Sequence, residues 1–312
     1  NKKTAQNNNS IIRSISNEAG NLKFNACPGT FHVIDGQHRL FSYTGVEKKP
    51  GGIREKHRLI VTAFEGMTTK EEAEMFLDVN EREFTQKLNP VYKAIELTRK
   101  NLDKEKSLIA FIGAPWTLIF YMLNIKNKKN EINLKKLNEN NIDINKILNK
   151  LINFLCTHID NQINAGADVV QIFDSWAGKI PDKNIKDYCF IPNAKLIEFC
   201  KNMKIPNICF PKGIKKEKYE EFNKIVKPDG INLDYEIDPL WARENLRNVV
   251  LQGGLDPRAL LNSEEEMLKG ATKYIETFKD IPYIFNLGHG LLPETDPDKV
   301  KMLVNFYRNY NE

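Results

Sequence analysis

The sequence has little that would staple it or anchor it in a membrane. Its five cysteines, Cys27, Cys156, Cys189, Cys200 and Cys209, are odd in number and form no C-x-x-C pair. That argues against a disulfide framework and against a zinc site, and points to a reducing compartment, the cytoplasm. No apolar run approaches the roughly 20 residues of a membrane span, so no membrane role is expected. The opening residues, NKKTAQNNNS, are polar, contain no signal-type apolar stretch and do not begin with Met, so the chain is expected to be a fragment. Charge of one sign is scarce too. The net charge is +5, and up to Lys104 there are 17 Lys plus Arg against 13 Asp plus Glu, a net of +4 that leaves +1 for the rest. So small an excess is ordinarily a solvated face, and it gives only weak support for a polyanionic partner.

What is present is ordinary for a soluble globular protein: 41% hydrophobic and 28% charged residues in 312. That length suffices for one large α/β domain or for two of usual size. The first third and the remainder follow different patterns. In the first third, GTFHVIDG and KHRLIVTAFEG read as strands closed by Gly turns. TTKEEAEMFLDVNEREFT reads as a helix with an N-cap Thr and acidic residues in its first turn, where the helix dipole favours them. From about Ser107 strands alternate with helices at wide spacing. The strand candidates are LIAFIGAP, ADVVQIFDS, IPNICFP, GINLDY, NVVLQGGLDP and PYIFNLGHG, each ending in Gly, Pro, Asp or Ser or running into such a residue. Strands separated by helices imply parallel βα units, and polar punctuation at the strand ends is the habit of a (β/α)8 barrel, whose site is assembled there. The Lys/Asn-rich span 124 to 150 keeps Ile142, Ile147 and Leu148 among its charges and reads as a surface helix.

Four of these stretches, FIGAPWTLIFYML, AGADVVQIFDSWAG, VVLQGGLDP and IFNLGHGLLPETDPDKV, resemble the uroporphyrinogen decarboxylase family, in order and at suitable spacing. The resemblance covers residues 105 to 312 and implies an incomplete TIM barrel of six βα units. It implies the cofactor-free removal of carboxylates from the four acetate side chains of uroporphyrinogen III, giving coproporphyrinogen III in heme biosynthesis, by a homodimer. By resemblance Tyr121, Ser175 and His289 contact substrate carboxylates or ring, and Phe173 lines the pocket. Outside that context a Tyr, Phe or Ser at a strand end serves as core or cap, and a His between glycines serves a tight turn. Asp168 and Asp174 are expected to be structural, the first because it precedes its strand, the second because it faces away from Phe173 and Ser175 by strand alternation. The sequence departs from the family at Gly254, where the family usually has Asn. No segment matches the family's RQAGRY-type stretch or its FSDI-type strand end, which carry its Arg and Asp.

The first third, by FHVIDGQHRL and VTAFEGMTTKEEAEMFLDVNEREF, is similar to the DGQHR-domain family, distantly like ParB nucleases. This implies a small α+β domain over residues 1 to 104, with Gln37, His38 and Arg39 at a helix start where exposed N–H groups and basic side chains favour phosphate, and so weak DNA binding. The plainer alternative makes Asp35 an N-cap and Arg39 its ion-pair partner. The chain thus reads as a junction near residues 100 to 108, either a natural fusion or an assembly artefact, and the competing functional reading is a nucleic-acid-associated module joined to a passive barrel portion.

Overall fold

The computed structural model describes residues 87–123 and 143–310. Its first element is helix α1 (Asn89–Asn101), opened by Pro90 in its first turn and closed with Arg99 and Lys100 near its C-terminus, where the helix dipole favours cations. Strand β1 (Ile109–Gly113) follows, then α2 (Pro115–Met122), α3 (Ile144–Asn164) and β2 (Val169–Asp174). A π-helical turn (Lys186–Phe190) runs into α4 (Ile191–Asn202), followed by β3 (Asn207–Pro211), α5 (Lys216–Val226), β4 (Gly230–Leu233), α6 (Pro239–Asn245) and β5 (Val250–Gly253). The chain ends through α7 (Glu264–Phe278), β6 (Tyr283–Ile284) and α8 (Pro297–Arg308).

The helices start where local chemistry dictates. Asp143 accepts from the Lys146 amide to cap α3, and Ser263 and Glu266 form a reciprocal capping box on α7. Helix α3 buries Ile147, Leu148, Leu151, Ile152, Leu155 and Ile159, a stripe at helical spacing. Each such side chain contributes about 1.5–3 kcal/mol by leaving water. Ile147 and Leu148 therefore belong to a packed helix, as their spacing predicts; residues 124–142, including Ile142, lie outside the described residues.

The six strands among the described residues fall within the six stretches read from the sequence. They form one parallel sheet in the order β1-β2-β3-β4-β5-β6. Sequential order with every neighbour parallel requires each crossover to return on the same side, which winds a sheet toward a barrel and not into a two-faced open sheet. The described fold is a six-stranded portion of a TIM-type α/β barrel. Helices cover one face, where Ala110, Ile112, Val170, Ile172, Cys209, Ile231 and Leu251 are buried. On the other face of β1, Ile109 and Phe111 are exposed, the latter at 65%.

Helix α1 lies upstream of the boundary at residues 104 and 105, yet it is bound to the strands. Arg99 pairs with Asp168 at 2.8 Å and donates to the carbonyls of Asp103 and Lys106, while Asp168 also accepts from the Leu108 amide at 2.6 Å. The expected structural role of Asp168 is thus a clamp below β1 and β2. Gly166, at φ 109°, lies under Arg99, and a Cβ there would come within 2.9 Å of the arginine Cγ. Higher on the same interface, Tyr92 Oη hydrogen-bonds His158 Nδ1 at 2.9 Å, and Gln162 Nε2 reaches both His158 Nε2 at 3.0 Å and the Phe111 carbonyl at 3.2 Å. The amide donates both protons, so His158 Nε2 accepts and Nδ1–H donates.

Burial lowers the His158 pKa from the ordinary 6.5 to about 4. The neutral ring is the folded-state form, so in this pH range the unfolded chain binds the extra proton and stability falls as pH drops from 6.5 toward 4. Urea unfolding of a His158→Gln variant should show a shallower loss over that window than the parent chain. A second test concerns Gly178, where an added Cβ would lie 2.0 Å from the Gly213 carbonyl oxygen. Gly178→Ala should cost about 2 kcal/mol or more through backbone displacement, read as a fall in Tm of several degrees.

Candidate active site

The C-terminal ends of the strands meet at one rim, and the loops there hold one another. The Trp176 amide donates to Thr117 Oγ1 at 3.3 Å, the Gly178 amide to the Lys212 carbonyl at 2.9 Å, and the Gly213 amide to Asp234 Oδ2 at 2.9 Å. Farther along, the Gly288 amide donates to the Leu255 carbonyl at 2.7 Å, and a Cβ on Gly288 would lie 2.4 Å from the Tyr235 amide nitrogen. Every loop from the end of β1 to the end of β6 is therefore in contact with a neighbour. Gly254, at φ 102°, has Tyr274 Cε1 2.6 Å from where a Cβ would stand, and its carbonyl accepts from Tyr274 Oη at 2.7 Å. The Tyr274 ring thus occupies the space that a side chain at position 254 would need.

Three of the four barrel residues singled out by sequence are gathered at the β1–β2 end. Tyr121, on the last turn of α2, is half-exposed and meets Trp176 edge-on at 6.1 Å; Trp176 stacks on Phe120 at 3.9 Å. Ser175 precedes Trp176 in the loop after β2 and is partly exposed. Phe173 sits on the open face of β2, edge-on to Phe111 of β1 at 5.8 Å and to Phe210 of β3 at 6.1 Å. His289 stands exposed in the loop after β6, at the other edge of the sheet, and shares no hydrogen bond or ring contact with the other three. Gln37, His38 and Arg39 lie outside the described residues.

Two groups escaped the sequence reading. Phe111 is the outermost ring of the Phe111–Phe173–Phe210 ladder; its place two residues before Gly113 on an alternating strand was the available signal. On the same open side Gln252 Nε2 donates to Gln171 Oε1 at 3.2 Å and to Asn232 Oδ1 at 2.7 Å, an amide cluster joining β2, β4 and β5. All three side chains are buried, and Gln252 Oε1 has no partner. Glutamine within an apolar run carries no signal of such pairing.

Asp174 points the other way, into the helix layer, as alternation predicts. Its carboxylate accepts from Thr117 Oγ1 at 2.8 Å and Asn193 Nδ2 at 3.1 Å, with the Cys189 thiol as a further donor. Complete burial raises its pKa, against which the three donors act. Burial also pushes the Cys189 and Cys209 thiols well up, and Cys200 to about 12, so these are poor nucleophiles at neutral pH. Among the described residues no group of three His, Cys, Asp or Glu side chains is arranged to hold a metal ion, and no helix is long and apolar enough to cross a membrane. The open face of the sheet thus carries an aromatic wall of Phe111, Phe173 and Phe210.

A family model described as uroporphyrinogen decarboxylase (URO-D) matches residues 63–310. The chain belongs to the uroporphyrinogen decarboxylase family. The match begins upstream of the junction placed near residues 100 to 108 and includes α1. Among curated relatives, the uroporphyrinogen decarboxylase of Orientia tsutsugamushi (strain Boryong) is 38% identical over 231 residues, covering 72% of this chain and 67% of the relative. That of Rickettsia felis is 39% identical over 229 residues, covering 72% of this chain and 66% of the relative. The chain thus spans about two thirds of the length of these uroporphyrinogen decarboxylases. A solved methyltransferase from Methanosarcina mazei shares the fold, with a TM-score of 0.59 at 16% identity over 72% of this chain and 65% of that one.

The Asp174 network supplies a test of this architecture. Asp174→Ala removes the acceptor of the Thr117 hydroxyl and of the Cys189 thiol and one of the two acceptors of the Asn193 amide, at about 1–3 kcal/mol for each group left unpaired. The variant should melt well below the parent chain, whereas Asp168→Ala, at a half-exposed site, should lose distinctly less.

Proposed function

We propose that residues 105 to 312 act as a uroporphyrinogen decarboxylase-like domain that receives uroporphyrinogen at the C-terminal rim and that, in this chain, turns it over poorly. What carries the reading is the family match, supported by the contact of Tyr121 with Trp176, the residue after Ser175, and by the phenylalanine ladder on the open face. The reaction removes CO2 from each acetate arm after a proton has been placed on the pyrrole ring carbon, which turns the ring into an electron sink. No cofactor is required for that sequence. The protein must orient the acid, grip the remaining carboxylates and stabilise positive charge on the ring. Tyr121 and Ser175 offer hydroxyl donors for carboxylate oxygens, Phe173 an apolar face for a pyrrole, and His289 a polar group from the far edge.

The Arg and Asp segments that complete this machinery in the family have no counterpart in the sequence. Residues 1 to 104 are read instead as a DGQHR-type module with weak DNA affinity, and the decarboxylase part as a homodimer; both are proposals. Removal of one preorganised electrostatic partner costs on the order of 100-fold to 1000-fold in rate, and loss of several that act on one substrate leaves little beyond positioning. The 312-residue chain should therefore show decarboxylation at least about 100-fold below a complete family member. Replacing residues 1 to 104 with the first two βα units of such a member should restore it. Full turnover by the unaltered chain would overturn the impairment. Failure of the unaltered chain to bind uroporphyrin, with no effect of Tyr121→Phe or His289→Ala, would overturn the substrate assignment.

A further inference from the structure

We infer that Thr117 and Asp174 form a positioning pair that sets the loop carrying Ser175 against the helix carrying Tyr121. The inference rests on the proposed tetrapyrrole site and goes further, because neither side chain faces the open rim. Thr117 lies in the first turn of α2, four residues before Tyr121, and is buried. Its hydroxyl is used twice: it donates to Asp174 Oδ1 at 2.8 Å and accepts from the Trp176 amide at 3.3 Å. With Asp174 ionised the proton direction is fixed, since a carboxylate can only accept and an amide N–H can only donate.

Asp174 and Trp176 flank Ser175, so one hydroxyl holds the residue on each side of the candidate ligand group. The same helix, one turn on, presents Phe120 to the Trp176 ring at 3.9 Å and Tyr121 to its edge at 6.1 Å. Asp174 is itself held from a second direction by Asn193 of α4 and by Cys189 of the π-helical turn. The carboxylate is thus the fixed point, Thr117 the relay, and the positions of Ser175 and Tyr121 follow from it. An unrelayed loop would leave the Trp176 amide and Asp174 Oδ1 without these partners in a buried site, an arrangement that native structures avoid.

The test compares Thr117→Val, which keeps the shape and removes the hydroxyl, with Thr117→Ser, which keeps the hydroxyl, in the full chain. Amide hydrogen exchange needs no ligand. In Thr117→Val the amides of residues 175–177 should exchange about tenfold faster, while peptides from β4 and β5 are unchanged and Thr117→Ser stays within about twofold of the parent. Unaltered exchange at 175–177 in Thr117→Val overturns the inference. So does an equal rise throughout the sheet, which marks general loss of stability, or an equal effect in Thr117→Ser, which marks lost packing. Fluorescence titration with uroporphyrin supplies the second arm, with affinity about tenfold weaker in Thr117→Val and near parental in Thr117→Ser. Equal affinity of the parent and Thr117→Val also overturns the inference. If the parent chain takes up no uroporphyrin, the proposed site fails and the exchange data alone decide the positioning role.

Discussion

Sequential parallel pairing is the constraint on which the rest of this structure depends. Because each strand lies beside its predecessor and points the same way, all connecting helices cover one face and all strand C-termini reach one rim. The loops at that rim are crowded by necessity, and the chain meets the crowding with backbone contacts. Gly178 lies against Gly213 and Gly288 against Tyr235, where a side chain would displace a neighbouring strand's loop. The candidate site is thus a by-product of the winding: residues far apart in sequence, Tyr121 after β1 and Trp176 after β2, become neighbours because their strands are paired.

Two buried polar networks give this winding a definite geometry. On the helix side, Asp174 collects donors from α2, the π-helical turn and α4, and so fixes three elements to the end of one strand. On the open side, Gln171, Asn232 and Gln252 join strands that hydrophobic contact alone would leave free to slide. Polar groups in these places are costly when unpaired, which makes their pairing specific. The phenylalanine ladder on the open side adds apolar surface beside the amide cluster.

The opposite ends of the strands serve stability. There Arg99, Asp168 and Gly166 lock α1 beneath β1 and β2, and the Tyr92–His158–Gln162 chain seals the helix against its neighbour. Gln162 carries this chain up to the backbone of Phe111, the first ring of the ladder. The division follows the general behaviour of such barrels, in which one end carries binding groups and the other carries packing.

Much of the architecture was legible in the chain itself. Alternating apolar runs and helical stripes located six strands and their parallel sense, because those periodicities are local properties of the backbone. The motifs around Tyr121, Phe173, Ser175 and His289 marked the strand ends, and alternation alone turned Asp174 away from Ser175. Other features had no local signature. Phe111 looks like any strand phenylalanine until β1 proves to be open on one face; Thr117 looks like a helix-start residue until the end of β2 arrives beside it; the Gln252 amide gains meaning only from two other strands. Periodicity records which way a side chain points, and so the sequence by itself determined the elements and their order. Which side chains then share a hydrogen bond is a matter of separations across 20 to 81 residues, as between Asn232, Gln171 and Gln252, and only tertiary packing decides those.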